Sequence, residues 1–101
     1  MPEEVRGVVG HSLRQVQHGE TPESATKMKG KLREVMEIRV NEDGDTYRTM
    51  YTVVFEGLVY VLDAFKKKSK KGIATPKADI DRIEQRLKAA RIHYQGLERA
   101  N

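Results

Sequence analysis

The stretch VMEIRVNEDGDTYRTMYTVVF, residues 35–55, decides the fold because it predicts two neighbouring strands. Apolar and charged side chains alternate along its first half with the two-residue period of a half-buried strand: Met36, Ile38 and Val40 against Glu37 and Arg39. NEDGD, residues 41–45, has the composition of a turn, and residues 46–55 are rich in β-branched and aromatic side chains. These features predict a strand, a turn and a second strand.

The residues that follow extend this pair into a meander and add a helix. Glu56–Gly57 offers a tight reversal, and residues 58–65 are apolar on both faces except at Asp63, which is typical of a third strand covered on two sides. Thr75–Pro76 fits the cap and first position of a helix. Its apolar stripe is Ile80, Ile83, Leu87, Ala90 and Tyr94. Beyond Gly96 we expect a frayed polar tail.

The residues before the hairpin predict a further helix, from Pro2 to about Gln17. Its apolar residues recur at helical spacing: Val5, Val8, Val9, Leu13 and Val16. Gly19 is a suitable stop, and a loop or short helical turn is expected from Thr21–Pro22 onward. A chain of 101 residues is long enough for one compact core and too short for two. The expected architecture is a single α+β domain over residues 1–101: helix, antiparallel β-meander, helix.

Composition narrows the function classes. Cysteine is absent, which excludes disulfides and thiolate metal sites and fits a reducing compartment, so we expect a cytoplasmic protein. No apolar segment approaches the roughly 18 residues of a membrane span, and the N-terminus does not resemble a signal peptide. Residues 1–65 carry 8 Lys/Arg against 11 Asp/Glu, whereas residues 66–101 carry 11 against 4. The basic second part favours polyanionic partners.

A run of five lysines within residues 66–71 is the densest part of this charge. It has two interpretations: a solvated loop that serves solubility, or a grip for phosphates. Enzyme signatures are otherwise scarce, since the chain has no P-loop, no dinucleotide-binding glycine pattern and no metal-ligand spacing. We therefore expect neither a cofactor nor a metal. His11, His18 and His93 are expected on the surface without a catalytic role.

The two predicted strands of the hairpin carry arginine and tyrosine side chains. Arg39 lies on the face opposite the apolar residues of its strand, and Arg48 lies on the next strand, although the alternation alone does not fix the register between them. Tyr47 and Tyr51 are either core residues or aromatic platforms for bases. The plainer interpretation of Arg39 is an ion pair with Glu37. Together, cations and rings on one sheet face suit RNA.

Three segments, GKLREVMEIRV, DTYRTMYTV and GLVYVLDAFKKKSKKGIATPKADIDRIEQRLKAA, resemble the phage-derived HigB-like toxins of the RelE/ParE superfamily. The resemblance implies a RelE-like fold and the toxin of a type II toxin–antitoxin system. Such toxins are usually ribosome-dependent endoribonucleases that cut translated mRNA without a metal. The implied partners are a cognate helix-turn-helix antitoxin, which could form a hetero-oligomer with the toxin, and the ribosome with its mRNA.

The resemblance also implies roles for individual residues. The predicted catalytic set is Arg39, Arg48, Lys67 and Lys68, and the predicted RNA-binding set is Tyr47, Tyr51, Lys66, Lys70 and Lys71. In the chemistry of such nucleases the RNA 2′-hydroxyl attacks the adjacent phosphate, so a base and a cationic clamp are needed. Crowding among the lysines favours a neutral amine as the base, and an arginine stays charged as the clamp.

Two features depart from the family's pattern. The chain starts directly at the first helix, without the short preceding strand that family members commonly have, and Asp63 occupies a position where relatives often carry histidine. Two other functions stay open, the first because it shares the fold and the second because the two departures favour it. One is a ParE-like inhibitor of DNA gyrase, and the other is an inert relative that binds only nucleic acid or its antitoxin.

Overall fold

The computed structural model describes residues 1–68 and 75–100, with the backbone alone for Lys68. Two helices flank a sheet of four antiparallel strands in the order β1-β2-β3-β4. In chain order the elements are α1 Glu3–Gln17, β1 Ala25–Lys27, a 3₁₀ turn Gly30–Leu32, β2 Met36–Glu42, β3 Asp45–Thr52, β4 Tyr60–Lys68 and α2 Lys77–Ala100. The predicted α+β class, with a helix at each end of an antiparallel meander, is confirmed.

The central hairpin forms where the sequence predicts it. Strands β2 and β3 pair from Glu42 opposite Asp45 back to Met36 opposite Tyr51. The two residues between the strands, Asp43 and Gly44, have φ values of 49° and 79°. Positive φ at both positions is the requirement of the type I′ turn, whose twist matches that of paired strands and for which Asp-Gly is a favoured sequence.

The sheet differs from the predicted three-stranded meander in two places. A fourth strand, β1, pairs with the outer side of β2 through Ala25 opposite Ile38. The β3–β4 connection is a loop over residues 53–59 rather than a tight reversal, and Val53 and Val54 are exposed in it. The sequence does not predict β1 because three residues are too few to show the alternating pattern of a strand. It extends the second strand too far because Val53 and Val54, which are typical strand residues, lie in the loop.

Helix α1 covers one face of the sheet. Its buried side chains, Val5, Val9 and Val16, pack with Ile38, Tyr47 and Tyr51 of the sheet. Val8, predicted on the same stripe, is instead 46% exposed, because it lies at the border of the face that contacts the sheet. The helix ends at Gln17, as predicted, and the φ of +83° at Gly19 allows the N–H groups of Gly19 and Glu20 to bond back to the last turn.

Helix α2 covers the other face. Its buried residues Ile83, Leu87 and Ala90 pack on Met50 and Leu62 of the sheet. The helix runs to Ala100, so the frayed tail expected beyond Gly96 is wrong. One glycine costs a helix only about 1 kcal/mol, which the long helix on either side can offset. Within the described residues no helix is long and apolar enough to cross a membrane.

Asp63 ties β4 to α2. Its Oδ2 lies 2.7 Å from Nη2 of Arg82 and its Oδ1 lies 2.6 Å from Nη1 of Arg86. The hydrogen bonds to Asp63, and then to Asp79, raise the pKa of Arg82, so this guanidinium stays charged. The Asp63 side chain is only 9% exposed. The unusual aspartate is therefore held by two helix arginines and fastens the helix to the sheet.

We expect Asp63→Asn to lower the free energy of unfolding by about 1–3 kcal/mol, because two arginines lose a charged acceptor. Urea denaturation measures the change. Asp81→Asn is the matched control, since Asp81 belongs to an exposed pair with Lys77 on the same helix. The control should change stability by at most about 0.5 kcal/mol. Equal effects of the two substitutions would show that the Asp63 contacts do not fasten the helix.

Candidate nucleic-acid interface

The register of the central hairpin places two arginines side by side. Arg39 on β2 lies directly opposite Arg48 on β3, on the face of the sheet that α2 covers. Glu37, two residues before Arg39, occupies the same face. Like charges directly opposite each other destabilise a sheet, so this arrangement requires a compensating anion. Glu37 supplies it.

The carboxylate of Glu37 contacts both guanidinium groups. Nη2 of Arg39 donates to Oε1 at 2.8 Å, and Nη1 of Arg48 lies 3.4 Å from Oε2. The side chains of Glu37 and Arg48 are each 3% exposed, whereas that of Arg39 is 51% exposed. The site thus has an open cation at the surface and a second cation behind it.

Arg48 is also held from the start of α2. Its Nη1 donates to Oγ1 of Thr75 at 3.0 Å. Within the described residues its buried Nε has no hydrogen-bond partner, and neither has Oε2 of Glu37. A buried guanidinium N–H without a partner retains one donor that can bind an acceptor. Arg48 therefore keeps one buried donor that no group among the described residues uses.

Strand β4 extends through Lys66, Lys67 and Lys68, which corrects the predicted end of the third strand at residue 65. Lys66 pairs with Tyr47, Lys67 with Thr46 and Lys68 with Asp45. Because side chains alternate along a strand, Lys67 shares the face of Arg39 and Arg48, whereas Lys66 lies on the opposite face. The Lys66 side chain is 53% exposed and approaches Asp45 to 3.9 Å. Lys70 and Lys71 fall outside the described residues.

The two tyrosines are not on the cationic face. Tyr47 is 8% exposed and Tyr51 is 2% exposed, and both pack beneath α1 on the opposite side of the sheet. Burial raises the pKa of the Tyr51 phenol. A buried ring cannot stack on a base, so the expected platform of rings beside the arginines is wrong, and core packing accounts for both residues. Side chains alternate between the faces of a strand, so the two-residue period by itself places both tyrosines on the face opposite Arg48.

Two members of the site were not in the predicted set. Glu37 was named only as an ion-pair partner of Arg39, although its spacing of two residues from Arg39 already placed both on one face. Thr75 was named only as a helix cap, and no sequence signal connects it with Arg48, 27 residues earlier. Such a contact depends on how the sheet and α2 pack.

Other parts of the molecule offer little acid–base or metal chemistry. A cleft of about 500 Å³ at the end of α1 is lined mostly by valine, leucine and glycine and has no ionisable side chain. Within residues 1–68 and 75–100, no three His, Asp or Glu side chains are grouped to hold a metal ion. Nδ1 of His93 and the hydroxyl of Tyr60 share a hydrogen bond of 2.7 Å. His93 lies far along α2 from Arg39 and Arg48.

A comparison with protein families assigns the chain to one of them. The family model described as phage-derived protein Gp49-like matches residues 1–88. The chain belongs to this family, which is part of the RelE/HigB-like toxins of toxin–antitoxin systems. No curated protein and no solved structure matches the chain.

If the face that carries Arg39 and Arg48 binds RNA, the two lysines within β4 should differ in effect. We expect Lys67→Ala to weaken RNA binding and to reduce its dependence on salt by about one counterion, because one phosphate contact is lost. Lys66→Ala is the matched control on the opposite face and should change binding much less. Titration of a single-stranded RNA at several salt concentrations measures both. Equal losses would contradict the assignment of one binding face.

Proposed function

We propose that this protein is the HigB-like toxin of a type II toxin–antitoxin pair and that it cleaves translated mRNA on the ribosome without a metal. The observation that carries the proposal is the pair of guanidinium groups held across β2 and β3 by one carboxylate, in a chain of the Gp49-like family. Two cations beside each other suit a phosphodiester whose charge increases during cleavage.

The proposed roles follow from exposure. Arg39, half exposed, binds the phosphate of the incoming RNA, and Arg48 stabilises the charge that develops on the phosphorane as the 2′-hydroxyl attacks. Contact with Arg48 requires the groups that cover it to move apart when RNA binds. Lys67 on the same face acts as the base that takes the proton of the 2′-hydroxyl. The P–O5′ bond then breaks to leave a 2′,3′-cyclic phosphate, and the leaving 5′-oxygen takes a proton from the protonated lysine or from water. Lys66 and Lys68 take register positions on the face opposite the arginines, so their predicted roles are not part of this proposal. Lys70 and Lys71 extend the basic surface in the proposal.

We expect Arg39→Ala to abolish growth arrest and to slow mRNA cleavage by about 100- to 1000-fold, the usual cost of one transition-state donor. Its melting temperature should fall, because the buried Glu37 loses the closer of its two counter-ions, so the assays are run below the melting temperature of the variant. Primer extension on mRNAs after induced expression and a thermal scan measure these effects. Lys88→Ala, an exposed cation on α2, is the control and should remain toxic. A folded Arg39→Ala variant that cleaves at full rate would remove Arg39 from the site.

Arg48 needs a more careful pair of variants, because its removal also leaves Glu37 buried with one counter-ion fewer. Arg48→Lys keeps the charge but cannot form the same planar contacts, so we expect it to remain inactive while folding better than Arg48→Ala. If the wild type arrests growth but leaves mRNA intact and blocks supercoiling by purified gyrase, the ParE-like alternative replaces the nuclease. If it does neither, the inert relative is the correct interpretation.

The proposed antitoxin should cover the basic surface with an acidic segment, because residues 66–101 carry an excess of seven positive charges. We expect the product of a neighbouring helix-turn-helix reading frame to co-purify with this protein at low salt and to dissociate faster as salt rises. Affinity purification from the native operon, with washes of increasing ionic strength, measures this. Recovery of the protein alone at low salt, with the neighbour expressed and unbound, would count against it.

A further inference from the structure

Glu37 is the one acidic member of the site, and the proposed chemistry has not used it. Its carboxylate lies between two guanidinium groups, 2.8 Å from that of Arg39 and 3.4 Å from that of Arg48. Its side chain is 3% exposed, so water does not replace these contacts. A buried carboxylate is unfavourable unless it is paired, and here it is paired twice.

The same contacts control the two arginines. Arg39 is long, half exposed and held within the described residues by its hydrogen bond to Glu37. Without that bond the side chain would sample many rotamers, and repulsion from Arg48 opposite would drive it away from the position beside its neighbour. The three charges together amount to +1, which matches a single phosphodiester.

We propose that Glu37 is a positioning residue: it holds the guanidinium of Arg39 beside Arg48, so that the two form a phosphate clamp of limited net charge. The expected effect on the rate of cleavage rests on the proposed nuclease function. The positioning of Arg39 by Glu37 does not depend on that function. Glu37 acts through the arginines and does not touch the RNA.

The positioning role of Glu37 predicts different effects on RNA binding and on the rate of cleavage. Neutralising Glu37 raises the charge of the cluster from +1 to +2, which favours the ground-state attraction of RNA. It also frees Arg39 from its productive position, and misplacement of a clamp by about 1 Å costs up to about 100-fold in rate. Binding and rate should therefore change in opposite directions. A carboxylate that served only folding would weaken both together.

The first experiment observes the clamp without any activity. Arginine side-chain NMR follows rotation of each guanidinium, which a hydrogen bond to a carboxylate slows. The Arg39 signals are assigned from their loss in Arg39→Lys. We expect slow rotation of Arg39 in the wild type and fast rotation in Glu37→Gln. Glu34→Gln is the matched control, because Glu34 pairs with Arg91 on α2 and should leave Arg39 unchanged.

The second experiment measures the consequence on the ribosome. We expect Glu37→Gln to cleave mRNA at least about tenfold more slowly in a purified translation system, while an uncleavable 2′-deoxy substrate binds as tightly as to the wild type or more tightly. In the Arg39→Ala background the same substitution should cause little further loss of rate, because the group that it positions is gone. Additive losses, or weaker binding together with slower cleavage, would overturn the proposal.

The two experiments keep the proposals separate. If the wild type does not cleave mRNA, the nuclease function fails and the NMR result alone decides whether Glu37 positions Arg39. If Glu37→Gln does not fold, Glu37→Asp keeps the charge on a side chain shorter by one methylene and should still speed the rotation of Arg39. Unchanged Arg39 rotation in a folded Glu37 variant overturns the positioning role, whatever the rate of cleavage.

Discussion

The pairing register of β2 and β3 is the constraint on which the rest of the structure depends. The Asp43–Gly44 turn fixes this register, and a slip by one residue would move every side chain of one strand to the other face. In the observed register Ile38 faces α1 with the tyrosines, and Glu37 faces α2 with the arginines. The same turn therefore determines the apolar cluster under each helix and the charged cluster of Glu37, Arg39 and Arg48.

The charged cluster shows how a sheet accommodates two opposed cations. Arg39 and Arg48 would repel each other, and a buried Glu37 alone would be costly, but the three together compensate one another. The compensation is incomplete, because Oε2 of Glu37 and Nε of Arg48 are buried without hydrogen bonds among the described residues. Both atoms are buried, so a ligand reaches the free N–H of Arg48 only if the groups that cover it move.

A second group of charges on the same face serves stability. Asp63 holds Arg82 and Arg86, and Arg82 also lies 5.6 Å from the centre of the Phe65 ring. Phe65 is the cross-strand neighbour of Arg48, so this group adjoins the clamp. The two groups differ in the number of carboxylates that contact each arginine. Carboxylates from both β4 and α2 occupy Arg82, whereas one carboxylate serves both arginines of the clamp.

The sequence by itself determined the elements and the composition of each strand face. Alternation along residues 36–40 placed Glu37 with Arg39, the Asp-Gly turn defined the hairpin, and the apolar stripes located both helices. These features depend on local geometry, in which side chains repeat every two or about 3.6 residues. Local periodicity therefore sufficed to predict the α+β class.

Only the tertiary structure decided which strand faces meet and what covers them. Seven of the eight residues of β3 are buried, so burial does not alternate along this strand. The two-residue period separates Tyr47 from Arg48, but the sequence could not show that α1 covers the face of Tyr47 and α2 that of Arg48. The contact of Arg48 with Thr75 and the extension of β4 through the lysines arise between segments far apart in the chain. Such contacts depend on packing between elements, which local periodicity does not specify.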